Sequence, residues 1–266
     1  MHLNIYHTND IHANFPFLSR VCAYLSDHRE SADFYFDSGD FMDLKSTLVQ
    51  ADQGKSALEM LRLCGMDAMA LGNNDIDLGS EHLEELRGLP LLCANITHNN
   101  GTPVPGLRDH VILERCGKRF LIIGLSPYYG FGMVANKYNL FFEMGNLHTT
   151  DPVPAVTRIL EENRGKYDFS ILLSHSGHPV DRELEKRLPP VDLWLGGHSH
   201  AVITEKRYSQ SGMGQFLGRI TLDVQERDIR ILESIQIELP DQSSERFDGQ
   251  LEKAQEKAEA ILSREL

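Results

Sequence analysis

Leu193-Trp194-Leu195-Gly196-Gly197-His198-Ser199-His200 begins as a short apolar run, turns on two glycines and presents two imidazoles with one residue between them. A buried strand of a parallel sheet reads as such a run, and ligands gather just beyond the carboxyl ends of these strands. Glycine lets the backbone turn sharply and approach a bound group closely. Histidines at i and i+2 in that turn can reach one or two metal ions. A pair of surface loop histidines has the same local sequence, so the other strand ends decide between the two.

The pattern recurs outward from there. Residues 3–7 form a strand-like run that delivers Thr8-Asn9-Asp10-Ile11-His12. Asp-x-His on an extended segment sets a carboxylate and an imidazole on one side, a pairing suited to a divalent first-row metal. Residues 33–37 run into Ser38-Gly39-Asp40, where the glycine would aim Asp40 into a cleft; a helix N-cap or turn aspartate is the ordinary alternative. Residues 66–71 run into Gly72-Asn73-Asn74-Asp75-Ile76-Asp77. An amide there can ligate through its carbonyl oxygen, although Asn-Asn after Gly is also common turn chemistry. Residues 169–173 end in Ser174-His175-Ser176-Gly177-His178.

Helical periodicity separates these strands over 17–28, 53–63, 78–86, 152–163 and 182–187. Further strands are expected at 89–94, 202–206, 216–224 and 229–238, with a hairpin of 111–116 and 120–125 about Gly117-Lys118. Residues 126–150, rich in aromatic, Gly and Asn residues and without a sustained period, read as a long loop or cap near the mouth of the site. The glycines between 212 and 218 follow no Gly-Lys-Ser/Thr pattern and lead into a strand, so they read as a turn. From Ser243 onward Phe247, Leu251, Ala254, Ala258, Ile261 and Leu262 make an apolar stripe on one helix. The alternation predicts an α/β fold, with residues 1–240 as one domain. Residues 241–266 form a C-terminal amphipathic helix that packs on the domain, links to a second one absent here, or mediates a homodimer.

Composition narrows the function. The chain has 266 residues, 41% of them hydrophobic and 24% charged, ordinary values for a globular protein with a sizeable core. A formal net charge of −13 argues against a nucleic-acid partner, since such binders carry a basic face. It leaves room for a small anionic substrate held through divalent cations. Cys22, Cys64, Cys93 and Cys116 are widely spaced with no Cys-x-x-Cys pair, and read as small core residues of a reduced protein. No apolar run reaches the roughly 18 residues of a membrane span, and no signal peptide precedes the first strand. A cytoplasmic setting is expected.

Asp10, His12, Asp40, Asn73, His175, His198 and His200 thus come from five strand ends and supply oxygen and imidazole ligands without a thiolate. Seven ligands are too many for one ion and suit two that share a carboxylate. Two divalent ions about 3.5–4 Å apart clamp a phosphate and lower the pKa of a bound water toward neutrality.

Asp10-x-His12, Gly39-Asp40, Gly72-Asn73, His175 and Gly197-His198-x-His200 together resemble the five motifs of the calcineurin-like metallophosphoesterases. The contexts His7-Thr8-Asn9-Asp10-Ile11-His12, Cys93-Ala94-Asn95 and Leu195-Gly196-Gly197-His198-Ser199-His200 resemble their 5′-nucleotidase branch, over residues 3–238. The resemblance implies a four-layer α/β/β/α sandwich with a dimetal site at one edge. Asp10, His12 and His200 would hold one ion, Asn73, His175 and His198 the other, and Asp40 would bridge them. Mn²⁺, Zn²⁺, Fe and Mg²⁺ all suit nitrogen and oxygen ligands, with Mn²⁺ favoured. The implied activity is hydrolysis of phosphate esters, with nucleotides as the small phosphorylated substrates. The alternatives are a cyclic-nucleotide or dinucleotide phosphodiesterase, and a metal- and phosphate-binding module with little turnover.

Two departures bear on mechanism. Where the family carries a histidine that assists the leaving group, this chain has Asn74, while Asp77 keeps the place of the aspartate that orients it. An amide donates hydrogen bonds but transfers no proton, and general acid catalysis is worth roughly 10²–10⁴-fold. Asn74 is expected to help stabilise charge on the phosphoryl oxygens. His178 or His82 could supply a proton instead, although both read as ordinary helix-start or surface histidines. The second departure is length, since two-domain 5′-nucleotidases carry a further domain that grips the nucleoside. The chain ends on a helix resembling their linker.

Overall fold

The computed structural model describes residues 1–77, 79–85, 90–129, 133–226 and 228–264. The strand β1 (His2–Thr8) leads through α1 (Phe15–His28) to β2 (Phe34–Asp37), and α2 (Thr47–Asp52) and α3 (Lys55–Leu63) lead to β3 (Ala68–Ala70). The short α4 (Asn73–Ile76) and α5 (Ser80–Glu85) precede β4 (Leu91–Leu92) and β5 (Ile96–Thr97). A hairpin of β6 (His110–Arg115) and β7 (Lys118–Leu125) is followed by α6 (Met133–Met144), β8 (His148–Thr149), α7 (Pro152–Glu162) and β9 (Phe169–Ser174). Then come α8 (His178–Arg187), β10 (Leu193–Gly196), β11 (Val202–Thr204), β12 (Tyr208–Ser211), β13 (Leu217–Val224), β14 (Ile229–Ile237) and α9 (Glu245–Leu262).

Among the described residues the strands form two six-stranded sheets, ordered β14-β13-β1-β2-β3-β4 and β11-β12-β10-β9-β7-β6, with β5 and β8 paired apart. The central strands of both sheets are parallel, so both faces must be covered, and β2, β9 and β10 are buried along their whole length. Along β2 the period-two alternation divides the work. Phe34 and Phe36 face the second sheet, meeting Phe120, Ile171 and Leu195, while Tyr35 faces the helices. Leu18, Val21 and Leu25 of α1 and Leu58 and Leu61 of α3 cover the first sheet. Val156, Ile159 and Leu160 of α7 with Leu184 of α8 cover the second, against Leu121, Leu172 and Trp194. The result is the expected four-layer α/β/β/α sandwich.

Register places the site. Thr8 pairs with Asp37, and Gly196 with Ser174, which in turn pairs with Leu125. The parallel strands therefore release their loops at one level along one edge of the molecule. No helix among the described residues is long and apolar enough to cross a membrane.

Several elements differ from expectation for physical reasons. The helix expected over 53–63 starts only at Lys55, as α3, because Gln53 and Gly54 both take left-handed backbone (φ 55° and 82°), and α2 before them has no counterpart in the expectation. The stretch 126–150, expected to be a loop, contains α6 and β8. Among the described side chains of α6, Phe142 is buried while Leu140, Phe141 and Met144 are exposed, so the apolar residues of 140–144 mark no single face. The strand β12 was not anticipated because Ser209, Gln210 and Ser211 are polar. All three are buried, and the Ser211 N–H donates to Asn9 Oδ1 at 2.8 Å while Ser209 Oγ lies 2.9 Å from His7 Nε2. The boundaries expected at 78, 86 and 89 lie outside the described residues.

The last helix, α9, packs on α1, α2 and α3. Ser244 caps it, accepting from the Phe247 N–H at 3.3 Å, and Phe247 and Ala258 are buried against the helical layer. Ser19 on α1 donates to Asp248 at 2.6 Å and fixes its start.

Candidate metal centre

The loops after β1, β2 and β3 meet those after β9 and β10 at the carboxyl edge. Their backbones are unusual. Nine non-glycine residues among those described have positive φ, and five of them are Asp10 (50°), His12 (49°), Asp40 (54°), His198 (69°) and His200 (52°). Non-glycine residues in that region persist only where surrounding structure holds them, and they concentrate at functional sites. Here hydrogen bonds between loops hold them, from Asp10 N–H to Gly39 O (2.8 Å), His12 N–H to Asp40 O (3.0 Å) and Ala13 N–H to Phe41 O (2.7 Å). The buried Asp75 carboxylate collects the N–H groups of Asp40 (2.8 Å), Met42 (3.0 Å) and Gly72 (2.8 Å), tying the second loop to the third. At Gly72 a Cβ would collide with the Asp40 carboxylate, and at Gly197 it would stand 2.6 Å from His175 Nδ1.

The seven side chains named from the strand ends are brought to this edge. Asp10, His12 and His200 form one cluster and Asp40, His175 and His198 another, with ligand atoms inside each within 4.8 Å of one another. Nε2 of His12 and of His200 face each other at 3.4 Å. Asp10 Oδ1 lies 3.2 Å from His200 Nε2, 3.8 Å from His12 Nε2 and 3.7 Å from His175 Nε2. Asp40 Oδ2 lies 3.2 Å from His175 Nε2 and 4.0 Å from His12 Nε2. Each carboxylate therefore reaches nitrogen atoms of both clusters.

Two buried ligand atoms have no hydrogen-bond partner, Asn73 Oδ1 and His175 Nε2. Both are held in that state. Asn73 Nδ2 donates to Asn74 Oδ1 at 3.0 Å, which turns its carbonyl oxygen away from protein donors. His175 Nδ1 lies 2.7 Å from the Ser38 carbonyl, which can only accept, so in the neutral ring Nδ1 carries the hydrogen and Nε2 the lone pair. A buried acceptor left unmade costs roughly 1–3 kcal/mol, and a cation satisfies both. Orphaned oxygen and imidazole lone pairs beside two carboxylates fit divalent metal ions.

The electrostatics of the metal-free side chains agree. Burial works against a charged His175, yet Asp40 and Asp10 hold its pKa up to about 10, so a proton taken up at Nε2 marks where positive charge is favoured, and an ion would replace it. Burial would raise Asp40, but His175, the Asn74 N–H and His12 bring it below the usual carboxylate range. Burial, with the neighbouring His175 charge, lowers His198 to about 4 and leaves its ring neutral. Burial raises Asp10 against the pull of His175 and the Asn9 amide.

Asn74 touches three of the ligands. Its N–H donates to Asp40 Oδ1 (2.8 Å), its Oδ1 accepts from Asn73, and its Nδ2 lies 2.9 Å from His12 Nδ1. Asp77 ends α4 without a hydrogen bond to Asn74, and desolvation followed by the Asp40 charge pushes its pKa up to about 6. His178 heads α8 and meets Arg182 (3.2 Å) and the Tyr208 ring (5.0 Å), outside both clusters. His82 is buried within α5. Three contributors escaped the sequence reading. They are Asp75, the amide of Asn9 that donates to Asp10 Oδ2 at 2.7 Å, and Tyr129, whose hydroxyl lies 3.4 Å from His198 Nε2. Asp75 and Asn9 sit inside the quoted motifs and could have been weighed; Tyr129 lies in the aperiodic stretch and carries no local signal.

A sandwich with two acid-and-imidazole clusters at its strand ends is the architecture of a metallophosphoesterase. Residues 3–202 match the family model of the calcineurin-like phosphoesterases, and the chain belongs to that family. Among curated proteins it is similar to the uncharacterized metallophosphoesterase YunD of Bacillus subtilis (strain 168), 26% identical across 85% of this chain and 52% of that protein. It is also similar to a probable 5′-nucleotidase of Treponema pallidum (strain Nichols), 27% identical across 64% of this chain and 28% of that one. The chain thus spans about half the length, or less, of these curated relatives. The solved 5′-nucleotidase precursor from Thermus thermophilus shares the fold, with a TM-score of 0.78 at 19% identity, over 99% of this chain and 59% of that one.

Proposed function

We propose that this chain is a dimetal phosphohydrolase acting on nucleotides, with residues 1–240 as its catalytic unit and residues 241–266 as a helix docked upon it. The observation that carries the reading is the pair of carboxylates, Asp10 and Asp40, each within 4.0 Å of nitrogens from both clusters. In this reading Asp10, His12 and His200 would hold one ion and Asn73, His175 and His198 the other, with the Asp40 carboxylate shared between the two groups. Mn²⁺ is proposed as the ion, among the divalent ions that nitrogen and oxygen donors suit. When bound, the two ions supply an activated water and neutralise charge on the phosphoryl group. Ser38 and Asn74 hold His175 and Asn73 with their lone pairs turned inward. Nucleotides are proposed as substrates from the similarity to the probable 5′-nucleotidase, and a cytoplasmic setting from the four free thiols.

Asn74 shapes the substrate range. With an amide at the place of a general acid, the leaving group departs without a proton from this position. We therefore assign a preference for esters whose leaving group needs little protonation, such as nucleotide anhydrides, cyclic phosphodiesters and aryl phosphates. The same residue supports the second reading, a cyclic-nucleotide or dinucleotide phosphodiesterase. The test is hydrolysis of bis(p-nitrophenyl) phosphate and of AMP, with and without Mn²⁺, by the wild type and by His175→Ala. Turnover that requires Mn²⁺ and disappears in the variant supports the assignment, and the ratio of the two rates separates the two readings. A folded protein that binds Mn²⁺ and turns over neither substrate is a metal- and phosphate-binding module, and the enzymatic reading fails.

A further inference from the structure

Far apart in sequence, two of the four cysteines meet under the C-terminal helix. Cys22 lies midway along α1 and Cys64 closes α3. The Cys22 sulfur lies 3.9 Å from the carbonyl of Leu63, the neighbour of Cys64. The Cys64 sulfur lies 3.7 Å from the carbonyl of Leu18, one turn before Cys22, and 3.8 Å from that of Met60. Each sulfur therefore rests on the segment that carries the other. Both line a cavity of about 440 Å³ with Arg29, Ser244, Arg246 and Phe247, where the start of α9 covers the gap between α1 and α3. Cys22 is half-buried and Cys64 buried, an accessible sulfur backed by a sheltered one.

We propose that Cys22 and Cys64 form a redox-active dithiol, in which a hydroperoxide entering this cavity oxidises Cys22 and Cys64 closes an intramolecular disulfide. The Cys22 thiolate attacks the outer peroxide oxygen; an S–O bond forms, the O–O bond breaks, and the alkoxide or hydroxide leaves to take a proton from water. The Cys64 sulfur then attacks the sulfenic sulfur of Cys22, forming S–S and breaking S–O, and the departing oxygen leaves as water with the Cys64 proton. Two thiols have lost two electrons and the peroxide has gained them. A small thiol reductant reverses the step.

The surroundings favour the order of events. Cys64, the Ser244 hydroxyl and the Arg246 charge hold the Cys22 pKa down to about 7 against burial and Asp248. Thiolate is the reactive form. Burial pushes Cys64 up, so it remains a thiol until the sulfenic acid appears beside it. Ser244 and Arg246 belong to the start of α9, so docking of that helix completes the site. Cys93, between Asn95 and Ser126, is fully buried at the other edge of the first sheet. The disulfide would staple α1, which begins just after the Asp10-x-His12 loop, to the end of α3.

The test is intact-protein and peptide mass spectrometry of the full chain after a small excess of hydrogen peroxide and alkylation of the remaining thiols. The wild type should lose two hydrogens, yield a cross-linked peptide pair carrying Cys22 and Cys64, and recover on reduction. Cys64→Ser should accumulate a sulfenic acid on Cys22 that dimedone traps, Cys22→Ser should form neither product, and Cys116→Ser should behave as wild type. Circular dichroism of each variant shows that it is folded. A wild type that keeps a dimedone-reactive Cys22 without closing the bridge, that pairs other cysteines, or that does not react overturns the proposal.

Discussion

Asn74 occupies the point at which the two clusters touch. Its amide nitrogen lies 2.9 Å from His12 Nδ1 and 3.5 Å from the Met42 carbonyl, so both hydrogens have partners inside the protein. Its oxygen holds Asn73, whose own oxygen is the orphaned one. Ligation through His12 Nε2 would place the ring hydrogen on Nδ1, so the Asn74 amide would turn its oxygen from Asn73 toward His12 to receive it. Partners that orient ligands typically carry 10–100-fold in metal affinity. Asn74→Ala is accordingly expected to weaken Mn²⁺ binding by roughly 10–100-fold in isothermal titration. Asn74→Asp, which accepts from both neighbours, should retain it. Equal affinities in wild type and alanine variant would remove Asn74 from the metal centre.

At the level of elements, the two sheets meet at the site through polar side chains that hydropathy does not flag. His7, at the end of β1, sits wholly buried between Ser209 (2.9 Å) and Ser211 (3.3 Å) of β12. Burial lowers its pKa to about 3, from an ordinary value of 6.5. The folded protein therefore keeps His7 neutral while the unfolded chain protonates it as pH falls below 6.5, and the unfolded state binds the extra proton. Stability from this group is complete above pH 6.5 and is lost as pH falls toward about 3. The loss amounts to roughly 4–5 kcal/mol at 1.36 kcal/mol per unit. Urea unfolding of wild type and His7→Gln across that window should show the wild type losing more stability by about this amount. Parallel curves would show that His7 is not what destabilises the fold in acid. The same polar pairing explains why β12 was illegible, since its serines and glutamine have partners only once β1 and β14 are in place, as when Gln236 donates to Ser209 (3.1 Å). The α1 start was legible within two residues because Asn14 caps it locally, accepting from Phe17 N–H at 3.1 Å.

For the whole molecule, the sandwich ends in an edge that is electrostatically unfinished without cations. Two buried acids, strained loop backbones and two orphaned lone pairs are gathered where the two sheets meet. A ligand that binds only the folded state stabilises it by about 2.7 kcal/mol at a hundredfold excess over its Kd. Chelation with EDTA should therefore lower the Tm, and Mn²⁺ should restore it in a concentration-dependent way, in differential scanning calorimetry. In His175→Ala the metal-dependent part of the shift should shrink. A Tm indifferent to chelator and to Mn²⁺ in the wild type would separate the fold from metal binding.

Taken alone, the sequence determined the parallel α/β character, the positions of the main strands and which side chains stand at their carboxyl ends. These are local properties: an apolar run of roughly four to eight residues, a glycine turn, and the residue that follows it. Position along a strand becomes position at one edge of the molecule as soon as the sheets are parallel, so Asp10, His12, Asp40, Asn73, His175, His198 and His200 could be grouped from the sequence. Tertiary structure alone decided that Asp10 as well as Asp40 reaches both clusters, that Asp75 ties their loops together, that a helix lies in 126–150, and that Cys22 and Cys64 each lie against the segment that carries the other. None of these has a local signal, because each depends on burial and on partners brought from far along the chain by the packing of two sheets, and period and spacing do not encode that meeting.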